Sequence, residues 1–333
     1  MSLPLADPMP SETLHRRLPG WVGVAIRIVI TLGLMAIILK GIDRASFVKV
    51  MSTVQWEWWA GGVLIAIIAQ VIAGLRWSSL ARPIGFSFPH SFFVWRFFEG
   101  MFFSLCLPSS IGGDFIKAYR LADSTSRRLL AGCTVLADRL TGLTGLSVLG
   151  GAALLSVRWS LNELATLAVG GGLLFFAITS LWFGIRSLDR IISIMPAPHA
   201  VREFISQFLP YQKRPQLLPT AVVWSLLIQL GNAIGVLMIA HGLGVTLPLS
   251  VWCAVVPLVM LAMVIPVSIN GVGVREGGMA MLLAPQGVPS EQAVAIALLW
   301  FLSTLVSGLI GGILFLLDKK TIPTSVLSES SSN

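Results

Sequence analysis

Residues 107–122 read LPSSIGGDFIKAYRLA, and residues 266–278 read PVSINGVGVREGG. Each follows directly on an apolar run, SFFVWRFFEGMFFSLCL at 91–107 and LSVWCAVVPLVMLAMVI at 249–265. Proline pushes the residue before it out of helical geometry, and glycine lets backbone leave the helix, so each run is expected to end in a break. The two breaks match. An offset of 158 residues carries Pro108 onto Pro266, Gly113 onto Gly271 and Lys117 onto Arg275.

The same offset carries the apolar stretch 58–75 onto 216–233, where a second apolar stretch stands, and carries 43–55 onto 201–213. In 201–213 the residues Val201, Phe204, Ile205, Phe208 and Leu209 form an i, i+3, i+4, i+7, i+8 stripe, the pattern of a helix lying in the membrane interface. Phe47, Met51 and Val54 give the weaker counterpart, with Arg44 and Lys49 for the headgroups. Agreement of several elements at one offset indicates duplication, a common plan of transporter folds.

Composition fixes the environment. Of 333 residues 55% are hydrophobic and 11% charged, against about 25% charged in soluble domains. The mean hydropathy is +0.85. Further apolar stretches lie near 21–39, 129–156, 161–184 and 293–317, each long enough to cross a bilayer at about 20 residues per crossing. The expectation is an all-α polytopic bundle of seven to eight spans with two repeated halves and broken or re-entrant helices. It consists of a tail at 1–20, one membrane domain at 21–317 with halves near 21–156 and 161–317, and a polar tail at 318–333. His15, Arg16 and Arg17 precede the first run, which reads as an uncleaved anchor.

The net charge is +8, yet the basic residues sit in short segments between apolar runs. That distribution suits cytoplasmic loops and anionic headgroups and argues against nucleic acid. If 91–107 alone is re-entrant, Arg76 and Arg82 fall inside but Lys319 and Lys320 fall outside. Cys106, Cys133 and Cys253 stand singly in apolar stretches, with no disulfide or metal spacing. No cofactor or metal is expected. HExxH, GxSxG, P-loop and GxGxxG motifs are all missing, so no enzymatic activity is expected.

Candidate site residues cluster at the breaks. Asp114 is placed to cap a helix beginning at Phe115, with Lys117 and Arg120 sharing a face at i, i+3, which together describe a phosphate site. The second break sets Arg275 beside Glu276 between Gly271, Gly273 and the following glycines. Charges within spans are costly and should face protein or water. Arg96 and Glu99 are spaced as a pair, and Asp138 heads a small or polar face of Thr134, Thr141, Gly142 and Gly145, with Arg139 pointing elsewhere. Ser225, Gln229 and Asn232 make a second such stripe, and Thr304, Ser307, Gly308 and Gly311 a third. Close helix packing explains these stripes as well as a substrate path does.

Arg76-Trp77, GGDFIKAYRLA at 112–122, the Asp138-Arg139 pair and NGVGVREGG at 270–278 together resemble the flippase-like family that includes the transmembrane domain of lysylphosphatidylglycerol synthases. The resemblance spans nearly the whole chain. It implies a bacterial inner-membrane bundle that translocates, or assists with, lipids or lipid-linked molecules. It carries over Gly113, Asp114, Lys117, Arg120, Asp138, Arg139, Gly271, Gly273, Arg275 and Glu276 as motif positions, with Lys117 where arginine is expected. The sequence to Asn333 shows no counterpart of the soluble aminoacyl-transfer domain, so lysyl-lipid synthesis is not part of the expectation. The implied partner is a lipid or lipid-linked anionic substrate. Two alternatives stay open: a non-transporting partner of a lipid-modifying enzyme, and a membrane enzyme acting on a lipid phosphate.

Overall fold

The computed structural model describes residues 20–106, 111–122, 124, 127–156, 163–186 and 206–318. The described residues are mostly helical, with no strand among them. In chain order the helices are α1 (Gly20–Lys40), α2 (Arg44–Ser52), α3 (Trp56–Ala81), α4 (His90–Cys106), α5 (Ile111–Leu121) and α6 (Arg128–Ser156). They continue with α7 (Glu163–Arg186), the short α8 (Leu209–Gln212), α9 (Leu217–His241), α10 (Leu249–Val264), α11 (Val274–Leu283) and α12 (Ser290–Leu317). Helices α3, α6, α7, α9 and α12 each contain a stretch long and apolar enough to cross a membrane. With 21 residues, α1 reaches the same length.

The eight apolar stretches of the sequence become six long helices and two hairpins. Helix α5 folds back along α4, so closely that a Cβ on Gly113 would collide with the carbonyl of Gly100. Helix α11 folds back along α10, where a Cβ on Gly278 would lie 3.3 Å from Val259 and one on Gly271 would press into Met263. The second break lies between helices, α10 ending at Val264 ahead of Pro266. Pro108 lies outside the described residues.

The hairpins enter from opposite ends of the bundle. Helices α3 and α9 are antiparallel: Gln55 N–H donates to Gly242 O at 3.0 Å, a Cβ on Gly62 would meet Gly235 O at 2.7 Å, and Tyr211 Oη donates to Leu80 O at 3.3 Å. Let α3 start at end B and finish at end A. At end A, Ala81, Phe93, Leu121 and Ala131 share one cluster, so hairpin 1 (α4–α5) opens there. Val245, Val251, Leu283 and Ala293 share another, so hairpin 2 (α10–α11) opens at end B. The turns that feed the hairpins are copies: Gly85 (φ +113) and Gly244 (φ +77) each close a helix in the left-handed conformation that glycine adopts without penalty. Their N–H groups donate to Arg82 O and His241 O, and the next N–H groups to Ala81 O and Ala240 O. The duplication is therefore an inverted repeat.

Both α1 and α12 have their outer ends at end A. Along α1, Thr31, Leu34 and Ile38 meet Ile269, Gly273 and Gly277 on the way to end B. Asp318, at the finish of α12, lies beside Arg96 and Arg120 of hairpin 1. With both segments re-entrant rather than one, the finish of α12 at Asp318 comes to the same end as Arg82. Among the described residues, end A carries Arg82, Arg127, Arg128, Lys213 and Arg214, against Lys40, Arg44 and Lys49 at end B. An excess of Lys and Arg is what the positive-inside rule expects of a cytoplasmic side.

At end B, α2 is capped by Asp43, whose carboxylate accepts from Ser46 N–H at 2.9 Å; the Ser46 hydroxyl and then its N–H hold it below the usual carboxylate range. The expected apolar stripe turns toward protein: Val54 is buried and Phe47 and Met51 pack on the core, leaving Val48 exposed. Of its counterpart, residues 201–205 lie outside the described residues.

The inverted arrangement predicts opposite accessibility. With the three native cysteines replaced, Ser87→Cys and Thr246→Cys, both at exposed turn positions, should react with a membrane-impermeant maleimide from opposite faces of sealed vesicles. Labelling of both from one face contradicts the fold.

Candidate functional site

Hairpin 1 carries most of the charge. Asp114 lies in the first turn of α5 and meets two cations, Lys117 Nζ at 2.9 Å and Arg139 Nε at 2.6 Å. The Lys117 contact is an ion pair out of hydrogen-bond alignment. Lys117 is buried, its ammonium 4.7 Å from the Phe97 ring centre and 5.6 Å from that of Trp77. The expected capping by Asp114 does not occur, because α5 already begins at Ile111 and the carboxylate is drawn sideways to Lys117 and Arg139.

Arg120, on the same helix, takes other partners. Its guanidinium is 3.0 Å from Glu99 and 3.5 Å from Asp318, while Arg96 lies 2.6 Å from Glu99 and 2.7 Å from Asp318. Four charges from α4, α5 and the end of α12 thus form one buried cluster. The α12 surface beneath it is glycine: Cβ atoms on Gly308, Gly311 and Gly312 would strike Leu105, the Phe98 backbone and the Phe102 ring. The small stripe on α12 is a packing seam for hairpin 1.

Hairpin 2 is held by its own backbone. Gly273 (φ +85) precedes α11, and its N–H donates to Glu276 Oε2 at 2.6 Å. Glu276 Oε1 accepts from Arg275 Nη2 at 2.9 Å, and the Arg275 guanidinium lies 4.5 Å from the Phe301 ring centre. Both charges are buried. Lys117 and Arg275 are therefore both internal but stand in separate settings, one between α3 and α4 and the other against α12.

The tips of the hairpins meet. Asn270, in the left-handed region at φ 51, donates from Nδ2 to Leu105 O at 3.4 Å. Ile269 N–H donates to Thr31 Oγ1 at 3.0 Å, tying the second tip to α1. Beside this junction runs an apolar groove of about 250 Å³ lined by Ile28, Leu32, Val272 and Phe301. Phe301 thus borders the groove and also contacts the buried Arg275.

A second polar junction lies deeper. Arg76 of α3 donates to Asp138 of α6 at 2.8 Å and to Ser225 Oγ of α9 at 2.7 Å, with all three buried. Trp77 Nε1 donates to Thr134 Oγ1 at 3.0 Å. Gly142 and Gly145 make room for it: a Cβ on the first would lie 3.3 Å from Arg76 Nη1, and one on the second would strike Ser225. Asn232 stays within its own helix, donating to Gln229 Oε1 at 3.1 Å.

The structure thus groups Gly113, Asp114, Lys117 and Arg139 on hairpin 1 and its flank, and Gly271, Gly273, Arg275 and Glu276 on hairpin 2. Asp138 and Arg120 lie in two further clusters, and Asn232 in none. From the sequence Asp318 reads as tail, and Arg76 as a motif residue and an inside-facing charge, whereas the structure buries Arg76 between helices. Each is the counter-charge of a charge already singled out inside a span, and the cost of an unpaired intramembrane charge was the signal that a partner had to exist.

The family model described as the lysylphosphatidylglycerol synthase TM region matches residues 24–312, and the chain belongs to that family. The matched range contains both hairpins and every cluster described above except Asp318. Membership makes this an integral membrane protein related to lipid modification or transport. No curated protein matches the chain.

The Arg76–Asp138 pair predicts a specific pattern of stability. Asp138→Ala or Arg76→Ala leaves a buried charge alone and should cost about 3–5 kcal/mol, whereas Arg76→Met with Asp138→Leu should recover most of the loss. Heating the detergent-solubilised variants and measuring the remaining monodisperse fraction checks this. Single variants as stable as the wild type contradict the pairing.

Proposed function

We propose that the protein is a flippase or related transporter that moves a lipid or lipid-linked molecule with an anionic headgroup across the bilayer. The observation that carries this reading is the meeting of two hairpin tips, Asn270 against Leu105, approached from opposite ends of an inverted repeat. In such folds binding sites lie near the bilayer midplane, at helices interrupted in corresponding positions of the two halves, and alternating access follows from moving one unit against the other. Here each return helix also carries a buried cation near its break, Lys117 on α5 and Arg275 on α11.

The groove beside the second tip supports the same reading. Its apolar lining suits an acyl or polyprenyl chain, and Phe301 links it to the Arg275 guanidinium. Such a chain gains little by leaving lipid, because lipid tails are as apolar as the groove, so selection rests on the headgroup charge. The reading assigns no covalent step to the chain. It places the protein in a bacterial inner membrane, where a lipid-modifying enzyme is the natural supplier or consumer of the transported lipid.

Movement at the tips is the step to test. The full-length chain with Leu105→Cys and Asn270→Cys, all native cysteines replaced, is reconstituted into liposomes holding a fluorescent anionic lipid. Cross-linking should abolish leaflet exchange and reduction should restore it. Exchange that continues in the cross-linked protein, or exchange equal to that of protein-free vesicles in the reduced protein, overturns the proposal.

A further inference from the structure

The two halves differ in what covers their hairpins. Along α11 of hairpin 2 lies α1, with Thr31, Leu34 and Ile38 against Ile269, Gly273 and Gly277. The inverted repeat makes α7 the counterpart of α1, yet α7 lies instead against α6, α8 and α9. The flank of hairpin 1 between α5 and α6 is left open: Phe115 is 58% exposed, Leu140 44%, and the Arg139 side chain 48%.

An exposed arginine here is physically out of place. Arg139 stands eleven residues along α6 from Arg128 at end A, or about 16 Å at 1.5 Å per residue. That is roughly half of a 30 Å hydrocarbon core. A cation at that depth needs water or a counter-ion. Its counter-ion is Asp114, which it shares with the buried Lys117. Two cations to one carboxylate leave this flank with a surplus of one positive charge.

A route leads to it from end A. Arg128 lies 5.4 Å from the Tyr119 ring centre, and Tyr119 and Phe115 stack along α5 with ring centres 6.4 Å apart. Beyond them come Arg139, Asp114 and Lys117. A headgroup leaving the end A leaflet therefore meets a cation at the interface, two aromatic faces, and a cation pair at mid-depth.

We propose that this open flank of hairpin 1 is the mid-depth station for the headgroup of a phosphodiester lipid bearing one net negative charge, which replaces Asp114 as the partner of Arg139. The proposal rests on the lipid-handling reading above and narrows its substrate class. One negative charge cancels the surplus, and the guanidinium fork fits two phosphate oxygens at once. A zwitterionic headgroup brings its own cation and restores the surplus in a low-dielectric setting. A dianionic one overshoots it. Charge balance therefore selects the monoanion.

Binding, measured apart from transport, tests this. The full-length chain in mild detergent is titrated with three probes, phosphatidylglycerol, phosphatidylethanolamine and soluble glycerol 3-phosphate, and retention is read by native mass spectrometry. Phosphatidylglycerol should be retained about tenfold over phosphatidylethanolamine, and glycerol 3-phosphate should not be retained. Arg139→Gln should erase the preference and Arg139→Lys should keep part of it. Both are judged on protein that elutes as one species, so loss of fold is not mistaken for loss of binding. Equal retention of the two lipids, an unchanged preference in Arg139→Gln, or glycerol 3-phosphate bound as well as the lipid each overturns the proposal. Selective binding without leaflet exchange leaves this site standing and removes the transport reading alone.

Discussion

Backbone that leaves the helix inside a bilayer has to find its hydrogen bonds within the protein, since hydrocarbon supplies none. The second break shows how this chain meets the demand. Ile269 N–H is bonded to Thr31, Gly273 N–H to the Glu276 carboxylate, and the Asn270 side chain reaches the Leu105 carbonyl at the opposite tip. Each of these partners comes from a different place: α1, the return helix itself, and the other hairpin. The first two bonds satisfy backbone of the second break from α1 and from its own return helix, while the third satisfies the Leu105 carbonyl of hairpin 1, so each tip depends on its neighbours.

The same economy governs the charges. Arg76, Arg96, Lys117 and Arg275 are buried, and each lies within 3 Å of a carboxylate: Asp138, Glu99, Asp114 and Glu276 respectively. Buried pairs of this kind add little to net stability, because desolvation offsets attraction, yet breaking one is costly. Their effect is positional. Arg76 fixes α3 against α6 and α9, while Arg96, Glu99, Arg120 and Asp318 fix hairpin 1 against the end of α12. Glycine seams at Gly62–Gly235 and along Gly308, Gly311 and Gly312 bring the backbones close enough for these short side-chain contacts to form.

Much of this was legible in the sequence because it depends on local chemistry. The breaks after Cys106 and Val264 follow from proline and glycine, the duplication from one offset, and the Arg96–Glu99 pair from helical spacing. What escaped was relational. Nothing local distinguishes a 17-residue re-entrant arm from a short span, so the fold-back of α5 onto α4 required the Gly100–Gly113 approach to be seen. The placing of Asp114 as a cap failed for a similar reason: α5 starts four residues earlier than the acidic residue suggests, and tertiary cations outcompete local backbone for its oxygens. Asp318 read as tail because its partners, Arg96 and Arg120, lie some two hundred residues away in the chain.

An inverted repeat of identical halves would weight its two orientations equally, so the differences between the halves carry the bias. At the repeat offset, Arg96, Glu99 and Arg120 of hairpin 1 correspond to Ala254, Pro257 and Gly278 of hairpin 2. Hairpin 1 is fastened to α12 by charge, whereas hairpin 2 meets α6 through Pro257, where a Cβ on Gly150 would lie 3.0 Å from the ring. Sliding an apolar contact exposes only apolar surface, which lipid accommodates, but separating the ionic cluster leaves the buried Arg96 and Glu99 without their counter-charges. Any rearrangement of the tips is therefore cheaper on the side of hairpin 2. On the transport reading proposed above, hairpin 1 would be the fixed element that holds Lys117, Asp114 and the Arg139 flank in register, and hairpin 2 the element that moves against it.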